Sequence, residues 1–251
     1  MIYQNLINTY KSLCSEFYDL DKPVAPKGVL DFYINEIKRS DQPVLEPMCG
    51  TGRFLIPILE QGIDIEGADA SSEMLLRCKQ NSQNKNLNPV LYNQKIQDFK
   101  LPEKYGLIFI PSGSIGLITE EEEVKQCLRS LYSSLKKRGK ILIEFETPVG
   151  ISGDGSFENR EVICRDHSVI NLTTTSDFDF EKNIETIKCE YNKITDSTVT
   201  LTEVEHLKIK YHHENEFKEL MEVGGFTEIE KLNIQSPEVP ENNVLFRGVK
   251  V

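Results

Sequence analysis

The sequence predicts an α/β domain with a mostly parallel sheet, helices on both faces and an inserted antiparallel β meander. Five short segments are almost continuously apolar, which is typical of strands buried on both faces in a parallel sheet. These segments are 43–47, 63–69, 89–93, 105–110 and 139–146. Amphipathic stretches separate them, and this alternation of strand and helix is the pattern of an α/β fold. Two further expected strands, 226–233 and 244–251, bring the sheet to seven.

Residues 1–40 predict two helices that form a lid on the core. A polar turn at 21–28, with two prolines and a glycine, separates the helices. Apolar side chains recur at near-helical spacing in both, namely Ile2, Leu6, Tyr10 and Leu13 in the first and Leu30, Tyr33, Ile34 and Ile37 in the second.

A further helix is expected from Thr119. Thr119 and Glu122 match a capping box, in which two side chains satisfy free N–H groups at a helix start. Gly139 is a suitable helix stop. The basic run 136–138 would then complement the helix dipole at the C-terminus.

Residues 151–213 differ in pattern from the rest of the chain. Val, Ile, Thr and Tyr alternate with polar residues in the segments 158–165, 168–177, 184–193 and 198–211. This pattern predicts an antiparallel meander. We expect an insertion that roofs the substrate pocket or forms a dimer contact. The core therefore comprises 41–150 and 214–251, and it resumes with a helix at 214–223 that ends at Gly224 and Gly225.

Residues 44–52, Val-Leu-Glu-Pro-Met-Cys-Gly-Thr-Gly, carry the clearest functional signal. An apolar strand ends in Glu46, a tight turn with Gly50 and Gly52 follows, and an amphipathic segment begins at Arg53. A strand, a glycine turn and a helix together bring backbone N–H groups against a nucleotide-like ligand. Asp69 ends the next strand, where an acid can accept hydrogen bonds from ribose hydroxyls. The combination predicts an adenosine-containing cofactor.

Two features of the turn distinguish between such cofactors. Leu55 stands where a dinucleotide-binding fold has its third glycine, and Glu46 would repel a pyrophosphate. A carboxylate suits a cationic group instead, such as the α-ammonium of an amino acid. An adenosine joined to such a group describes S-adenosylmethionine (SAM). An NAD(P)-dependent oxidoreductase is the alternative, and a SAM-binding protein without catalysis would carry the same motif.

The segments 45–55, Leu-Glu-Pro-Met-Cys-Gly-Thr-Gly-Arg-Phe-Leu, and 67–75, Gly-Ala-Asp-Ala-Ser-Ser-Glu-Met-Leu, resemble motifs of class I SAM-dependent methyltransferases. The likeness continues through 105–110, 135–146 and 214–226. Met48 departs from the family pattern, which usually has its first glycine there. The resemblance implies a Rossmann-like sheet, SAM as the cofactor and S-adenosylhomocysteine as the product.

Within that class the chain resembles small-molecule methyltransferases, in particular the sugar-amine N,N-dimethyltransferases. The shared residues are Phe17-Tyr18-Asp19, Asp98-Phe99 and Ser114-Ile115-Gly116. Leu117 replaces the histidine that follows in those enzymes, so their base and substrate do not transfer. The resemblance implies methyl transfer to a nitrogen or oxygen of a small-molecule acceptor.

Further cofactor contacts are expected around the motif. Arg53 opposes the dipole of its helix, and the cofactor's carboxylate or a surface acid would offset that charge. Tyr18 resembles the tyrosine that closes over the cofactor in similar enzymes. Lys95 occupies the place of the usual adenine-binding acid, so Gln97 or a backbone group would serve, and Asp98 fits either adenine binding or a turn. The remaining expected contacts are Met48, Ala70, Met74, Ile96 and Pro111.

No single catalytic residue follows from the sequence. A sulfonium methyl is already activated, so alignment supplies most of the effect, and a base is needed only for a protonated acceptor. The candidate bases are Glu144, Glu146, Tyr18, His206, His212 and His213. Asp177, Asp179 and Glu190 would either give the pocket an acidic lining or belong to a solvated strand edge.

Composition excludes several classes of partner. The net charge is −11 and the basic runs are short, which argues against a nucleic-acid substrate. No apolar run reaches the roughly 20 residues of a membrane span, and the N-terminus lacks signal-peptide features. The six cysteines are scattered without metal-site spacing, which indicates reduced thiols in a cytoplasm and no metal. A monomer or a homodimer is expected.

Overall fold

A mixed seven-stranded sheet forms the centre of the protein in the computed structural model, which describes residues 7–41, 43–151 and 155–251. Its first five strands are β1 (Val44–Pro47), β2 (Ile65–Asp69), β3 (Leu91–Asn93), β4 (Tyr105–Ile110) and β5 (Leu135–Glu146). The inserted sheet follows with β6 (Phe157–Ile163), β7 (Val169–Asp179), β8 (Ile184–Thr195) and β9 (Thr198–Lys210). The chain returns to the central sheet with β10 (Thr227–Leu232) and β11 (Asn243–Val249).

The strand order across the central sheet is β3-β2-β1-β4-β5-β11-β10. β1 pairs in parallel with both β2 and β4, whereas β11 runs antiparallel to both of its neighbours. The strand order therefore reverses between β1 and β4, and such a switch point is where open α/β sheets bind ligands. The predicted seven-stranded, mostly parallel sheet with an inserted antiparallel meander is confirmed.

Helices cover both faces of this sheet. In the described part of the chain they are α1 (Ser12–Asp21), α2 (Lys27–Lys38), α3 (Leu55–Leu59), α4 (Ser72–Gln83), α5 (Glu121–Ser134) and α6 (Glu214–Val223). α5 and α6 pack on the face that carries Ile143 and Phe145. α2 and α3 pack on the opposite face, against Phe109 and Leu142. None of these helices is long and apolar enough to cross a membrane.

The first helix begins later than its apolar spacing predicts. α1 starts at Ser12, and Tyr10 has a φ of 56°, in the left-handed region. A right-handed helix cannot continue through that conformation. The predicted helical positions Ile2 and Leu6 lie outside the described residues. The role of 1–40 as a lid stays a prediction, as do the functional boundaries of the core and insertion.

The predicted capping box and helix stop around α5 are wrong. Glu120 is the N-cap residue and makes no side-chain cap, while the Thr119 hydroxyl donates to the Glu120 carboxylate at 3.5 Å. Three glutamates in the first turn face the positive end of the helix dipole instead. At the other end, the fully buried Leu135 pairs with Tyr105, so β5 begins there and includes the basic run 136–138.

The inserted sheet has the strand order β6-β7-β8-β9, with every pair antiparallel. Its inner face carries Ile170, Leu172 and Tyr191, which form a separate apolar cluster with Leu13 and Phe17 of α1. The rings of Phe17 and Tyr191 meet edge to face, with centroids 5.9 Å apart. α1 also contacts α4, and so it lies between the insertion and the core.

We expect Phe145→Ala to lower the free energy of unfolding by about 3–5 kcal/mol, the usual cost of emptying a buried aromatic position. Phe145 is fully buried, and its ring stacks on that of Phe217 with centroids 4.2 Å apart. Urea unfolding followed by circular dichroism measures the loss. The control Val199→Ala alters a side chain that is 54% exposed and should change the value by less than about 0.5 kcal/mol. Equal losses in the two variants would contradict this packing.

Candidate cofactor and acceptor site

Glu46, the penultimate residue of β1, is a carboxylate that is only 2% exposed. One oxygen accepts the backbone N–H of Leu55, at the start of α3. The other, Oε2, is buried and has no hydrogen-bond partner among the described residues. Burial raises the pKa of Glu46 well above its usual range, the neighbouring Cys78 and Asp69 raise it further, and Leu55 and Arg53 offset only part of this effect. The ionised form of Glu46 therefore lacks a cationic partner of matching strength.

The turn after β1 leaves its backbone open at Gly50. Met48 has a φ of 59°, so it adopts the left-handed conformation that glycine would otherwise provide. A Cβ added at Gly50 would meet only the sulfur of Met74, at 3.9 Å, so there is room for a ligand against the backbone. A Cβ at Gly52 would lie 2.8 Å from Cys78 Sγ, so packing requires glycine there.

Asp69 is fixed beside this turn by backbone donors. Its Oδ2 accepts the N–H of Gly50 at 2.9 Å, and its Oδ1 accepts the N–H of Ser71 at 2.8 Å. Ser71, and not Asp69, is the N-cap residue of α4, because its hydroxyl accepts the N–H of Met74. Burial raises the pKa of Asp69, and these backbone bonds act in the opposite direction. With the N–H of Ala70 the carboxylate accepts three backbone donors, and it retains acceptor capacity for a ligand hydroxyl.

Tyr18 of α1 hydrogen-bonds with Arg53 and lies within range of the charges of Glu46 and Asp69. Burial raises the pKa of Tyr18, the guanidinium of Arg53 lowers it through charge and a hydrogen bond, and the two acids raise it. Arg53 is anchored by its Nε, which donates to the carbonyl of Val24 at 3.1 Å. The structure thus brings Tyr18 and Asp69, from other parts of the sequence, close to Glu46 and Arg53.

The predicted adenine contacts lie in a separate turn. Ile96, Gln97 and Asp98 form a single 3₁₀ turn after β3. Ile96 is buried and Asp98 is exposed, while the Gln97 amide donates to Glu123 of α5 at 3.3 Å. In this arrangement Gln97 is directed toward α5, so its predicted contact with adenine stays a prediction.

The remaining predicted contacts lie close to strand ends. Ala70 directly follows β2, and its carbonyl accepts the side-chain amide of Asn93 at 3.2 Å. Met74 is buried in α4 beneath Gly50. Pro111 is buried after β4, where its carbonyl accepts the Ser114 hydroxyl at 3.0 Å.

Glu144 is a buried acid of β5 whose hydrogen bonds are well satisfied. It accepts the hydroxyl of Tyr33, the amide of Asn243 at 2.6 Å and the backbone N–H of Ser112. Burial raises the pKa of Glu144, and these donors lower it. Because the donors engage both carboxylate oxygens, Glu144 is better placed to hold strands and loops together than to take a proton from a substrate.

Glu146, at the end of β5, belongs to a half-buried acidic group. The hydroxyl of Tyr211 donates to Glu185 of β8 at 2.8 Å and also hydrogen-bonds with Glu146. Burial raises the pKa of Glu146, the charge of Glu185 raises it further, and Lys22 lowers it. A Cβ added at Gly113, in the loop after β4, would lie 3.2 Å from the Glu146 side chain. This group therefore sits at the same edge of the sheet as Glu46, two strands away.

The histidine candidates lie elsewhere. His206 and His213 are exposed. His212 is buried against Phe145 and Phe217 on the α6 face, and burial lowers its pKa to about 4. These positions set the three histidines apart from Glu46 and Asp69.

The acidic residues expected in the insertion also face away from the site. Asp177 is exposed, Glu190 pairs with Lys188 at 3.4 Å, and Asp179 accepts N–H groups within the turn after β7. They are therefore solvated or turn residues, and Glu185 supplies the insertion's carboxylate at the site.

Sequence reasoning missed several residues of this arrangement. Tyr10 was grouped with the apolar positions of the first helix, and Tyr33 with those of the second. The sequence gives a local indication of Tyr211, because this residue directly precedes the candidate base His212 where the last strand of the insertion ends. Glu185 offers no such signal, since its partner Tyr211 is 26 positions away.

Comparison with known proteins agrees with the fold and with the turn after β1. Residues 44–139 match the model of a family described as a methyltransferase domain. The glycine/sarcosine N-methyltransferase of Halorhodospira halochloris is 27% identical over 143 residues, which are 56% of this chain and 53% of that protein. The chain spans a little over half the length of the first curated relatives that it matches.

Two solved structures resemble nearly the whole chain. The sugar N-methyltransferase KedS8 from Streptoalloteichus has a TM-score of 0.75 and 18% identity, covering 100% of this chain and 99% of that one. An S-adenosylmethionine-dependent methyltransferase from Clostridium acetobutylicum has a TM-score of 0.72 and 16% identity, covering 93% and 96%. Residues 44–139 are thus similar to a methyltransferase domain, and the chain has the fold of SAM-dependent methyltransferases, as its motifs predict.

We expect Glu46→Gln to stabilise the ligand-free protein. Because burial raises the pKa of Glu46 in the folded state, the stability tied to its proton is present below the unfolded pKa and is lost as pH rises. Glutamine is neutral throughout, so the gain should widen as pH rises above the ordinary carboxyl pKa of 4.5 and reach an order of 1–3 kcal/mol. Thermal melts across this range measure it.

Glu144→Gln is the matched control, because Glu144 is equally buried but has donors on both oxygens. This variant should lose stability, since the new amide group opposes existing donors. A loss of stability in Glu46→Gln, or a gain that shrinks with rising pH, would contradict the assignment.

Proposed function

We propose that this protein is a SAM-dependent methyltransferase that acts on a nitrogen or oxygen of a small molecule, with nitrogen favoured. The observation that carries the proposal is the buried, unpartnered oxygen of Glu46 at the end of β1. The α-ammonium of SAM would give this oxygen a charged partner. The same partner would lower the pKa of Glu46, which burial raises.

The residues around Glu46 fit the rest of the cofactor. The open space at Gly50 admits a ligand against the backbone, and the free lone pairs of Asp69 suit ribose hydroxyls. Arg53 offers a cation for the cofactor's carboxylate, and Tyr18 covers the same region. We assign the periphery of the site to Met48, Gly52, Ala70, Met74, Ile96, Gln97, Asp98 and Pro111.

The bound cofactor supplies a methyl group that its sulfonium already activates. What remains for the chain is to bind and align the acceptor, exclude water and receive a proton. We assign exclusion of water to α1, whose Tyr18 lies near Arg53, Glu46 and Asp69. Proton transfer falls to Glu146, the candidate base that is half-buried at the sheet edge and has a raised pKa.

The pairing of Glu146 with Glu185 supports an amine acceptor. Two carboxylates around the Tyr211 hydroxyl repel each other, and a cationic amine would relieve that repulsion. The amine must lose a proton before its lone pair can attack, and a carboxylate with a raised pKa can accept that proton. The N-methyltransferases among the similar proteins support the same choice. The insertion, which supplies Glu185, would thus form one wall of the acceptor pocket.

Two other functions are alternatives to the proposed enzyme. An NAD(P)-dependent oxidoreductase would place a pyrophosphate near the buried carboxylate of Glu46, at a cost in repulsion. A SAM-binding protein without catalysis would share the cofactor site, and only a turnover assay separates it from the proposed enzyme.

We infer that the protein acts on small molecules in the cytoplasm. Its net charge of −11 disfavours nucleic acids, and its six cysteines are free and buried, which suits a reducing compartment. Either a monomer or a homodimer is compatible with the proposed site.

We expect SAM and S-adenosylhomocysteine to bind and NAD not to bind. Asp69→Asn should weaken SAM binding by roughly 1–3 kcal/mol, because ribose hydroxyls lose a charged acceptor. Calorimetric titration measures both effects. The control Asp177→Asn changes an exposed acid and should bind SAM like the wild type. Binding of NAD without SAM would overturn the proposed function.

We expect methylation of amines in preference to their hydroxyl counterparts. Glycine against glycolate and glucosamine against glucose form suitable pairs, with product detected by mass spectrometry. Glu146→Gln should lower kcat/KM for an amine by at least about tenfold, because it removes the carboxylate that accepts the proton. The Kd for SAM should stay unchanged. Methylation of the hydroxyl members alone would count against nitrogen as the acceptor, and an unaffected Glu146→Gln variant would count against Glu146 as the base.

A further inference from the structure

Two carboxylates of the insertion hold the start of α1. Glu205 of β9 is only 2% exposed, and its oxygens accept the backbone N–H groups of Tyr10 and Lys11, both at 2.7 Å. Glu203 accepts the N–H of Leu13 at 2.8 Å. The first N–H groups of a helix have no partner within it, and the N-cap residue Lys11 provides no side-chain cap. The insertion therefore supplies the cap from 190 or more positions along the chain.

The same short segment is bonded to the cofactor side of the core. The carbonyl of Tyr10 accepts the hydroxyl of Ser71 at 2.7 Å. The backbone N–H of Ser71 donates to Asp69, and Asp69 in turn accepts the N–H of Gly50. A continuous series of contacts thus runs from Glu205 in the insertion to the turn after β1.

The conformation of Tyr10 shows that these bonds act together. Its φ of 56° is uncommon for a residue other than glycine. Glu205 holds its N–H on one side, and Ser71 holds its carbonyl on the other. A strained residue keeps such a conformation only when surrounding contacts fix it. Loss of Glu205 would therefore release Tyr10 from Ser71 as well.

We propose that Glu205 is a positioning residue for the cofactor site, acting through Tyr10 and Ser71 on Asp69. The inference rests on the proposed assignment of Asp69 and Gly50 to cofactor binding. It gives the insertion a role in holding the cofactor, in addition to the wall that it contributes to the acceptor pocket.

Glu205→Gln tests this role, because glutamine has one acceptor oxygen for two N–H donors. Its SAM Kd should rise about tenfold, in line with the loss of a hydrogen bond to a charged group. Hydrogen exchange of residues 10–13 in the ligand-free protein should accelerate. The control Glu190→Gln alters a carboxylate that accepts from Lys188 and Asn192 of its own strand. It should leave the SAM Kd and the hydrogen exchange of residues 10–13 unchanged.

Ser71→Ala distinguishes positioning from a general loss of stability. If Glu205 acts through Tyr10 and Ser71, adding Glu205→Gln to the Ser71→Ala variant should change SAM affinity by less than about twofold. The reason is that the free-energy effects of substitutions at coupled residues do not add. Should Glu205→Gln fail to fold, Glu203→Ala removes the single capping bond to Leu13 and should raise the Kd by about threefold. Additive effects, or wild-type SAM affinity in the folded variants, would overturn the proposal. Absence of SAM binding by the wild type would instead overturn the proposed function.

Discussion

The parallel pairing of β1 with β2 and β4 places the carboxyl ends of these strands at one edge of the sheet. Glu46 lies one residue before the end of β1 and Asp69 ends β2, so the fold brings them together although they are 23 positions apart. Glu146 reaches the same edge because β5 pairs in parallel with β4. The backbone pattern thus creates a row of acids above a largely apolar core, and the loops at that edge must accommodate them.

The acids at this edge differ in the hydrogen-bond donors that offset the cost of burying them. Glu144 has neutral donors on both oxygens, Asp69 has backbone N–H groups, and Glu146 shares a tyrosine hydroxyl with another carboxylate. Glu46 differs, because one of its oxygens has no donor among the described residues. A site that lowers the stability of the free protein and becomes stable with a cationic ligand is typical of functional positions. This contrast among neighbouring acids is the physical basis of the proposed cofactor and acceptor.

The sequence predicts the features that depend on local pattern. Continuous apolar runs locate β1 to β5, and the acids that directly follow those runs locate Glu46 and Asp69. Contacts between distant segments leave no such pattern. The cap of α1 comes from Glu205. Strand β5 begins at Leu135, because that residue pairs with Tyr105 in the core. Gln97 follows β3, as expected. Its side chain nevertheless hydrogen-bonds with Glu123 of α5, and this contact depends on tertiary packing that the local sequence does not show.

The proton balance of cofactor binding tests the central role of Glu46 most directly. Calorimetric titration with SAM at about pH 6.5, in buffers of different ionisation enthalpy, gives the number of protons released. Because burial raises the pKa of Glu46 and a bound ammonium would lower it, wild-type protein should release protons on binding. Glu46→Gln should bind SAM more weakly and release fewer protons. Equal affinity and equal proton release in the two proteins would contradict the assignment of Glu46 to the ammonium of SAM.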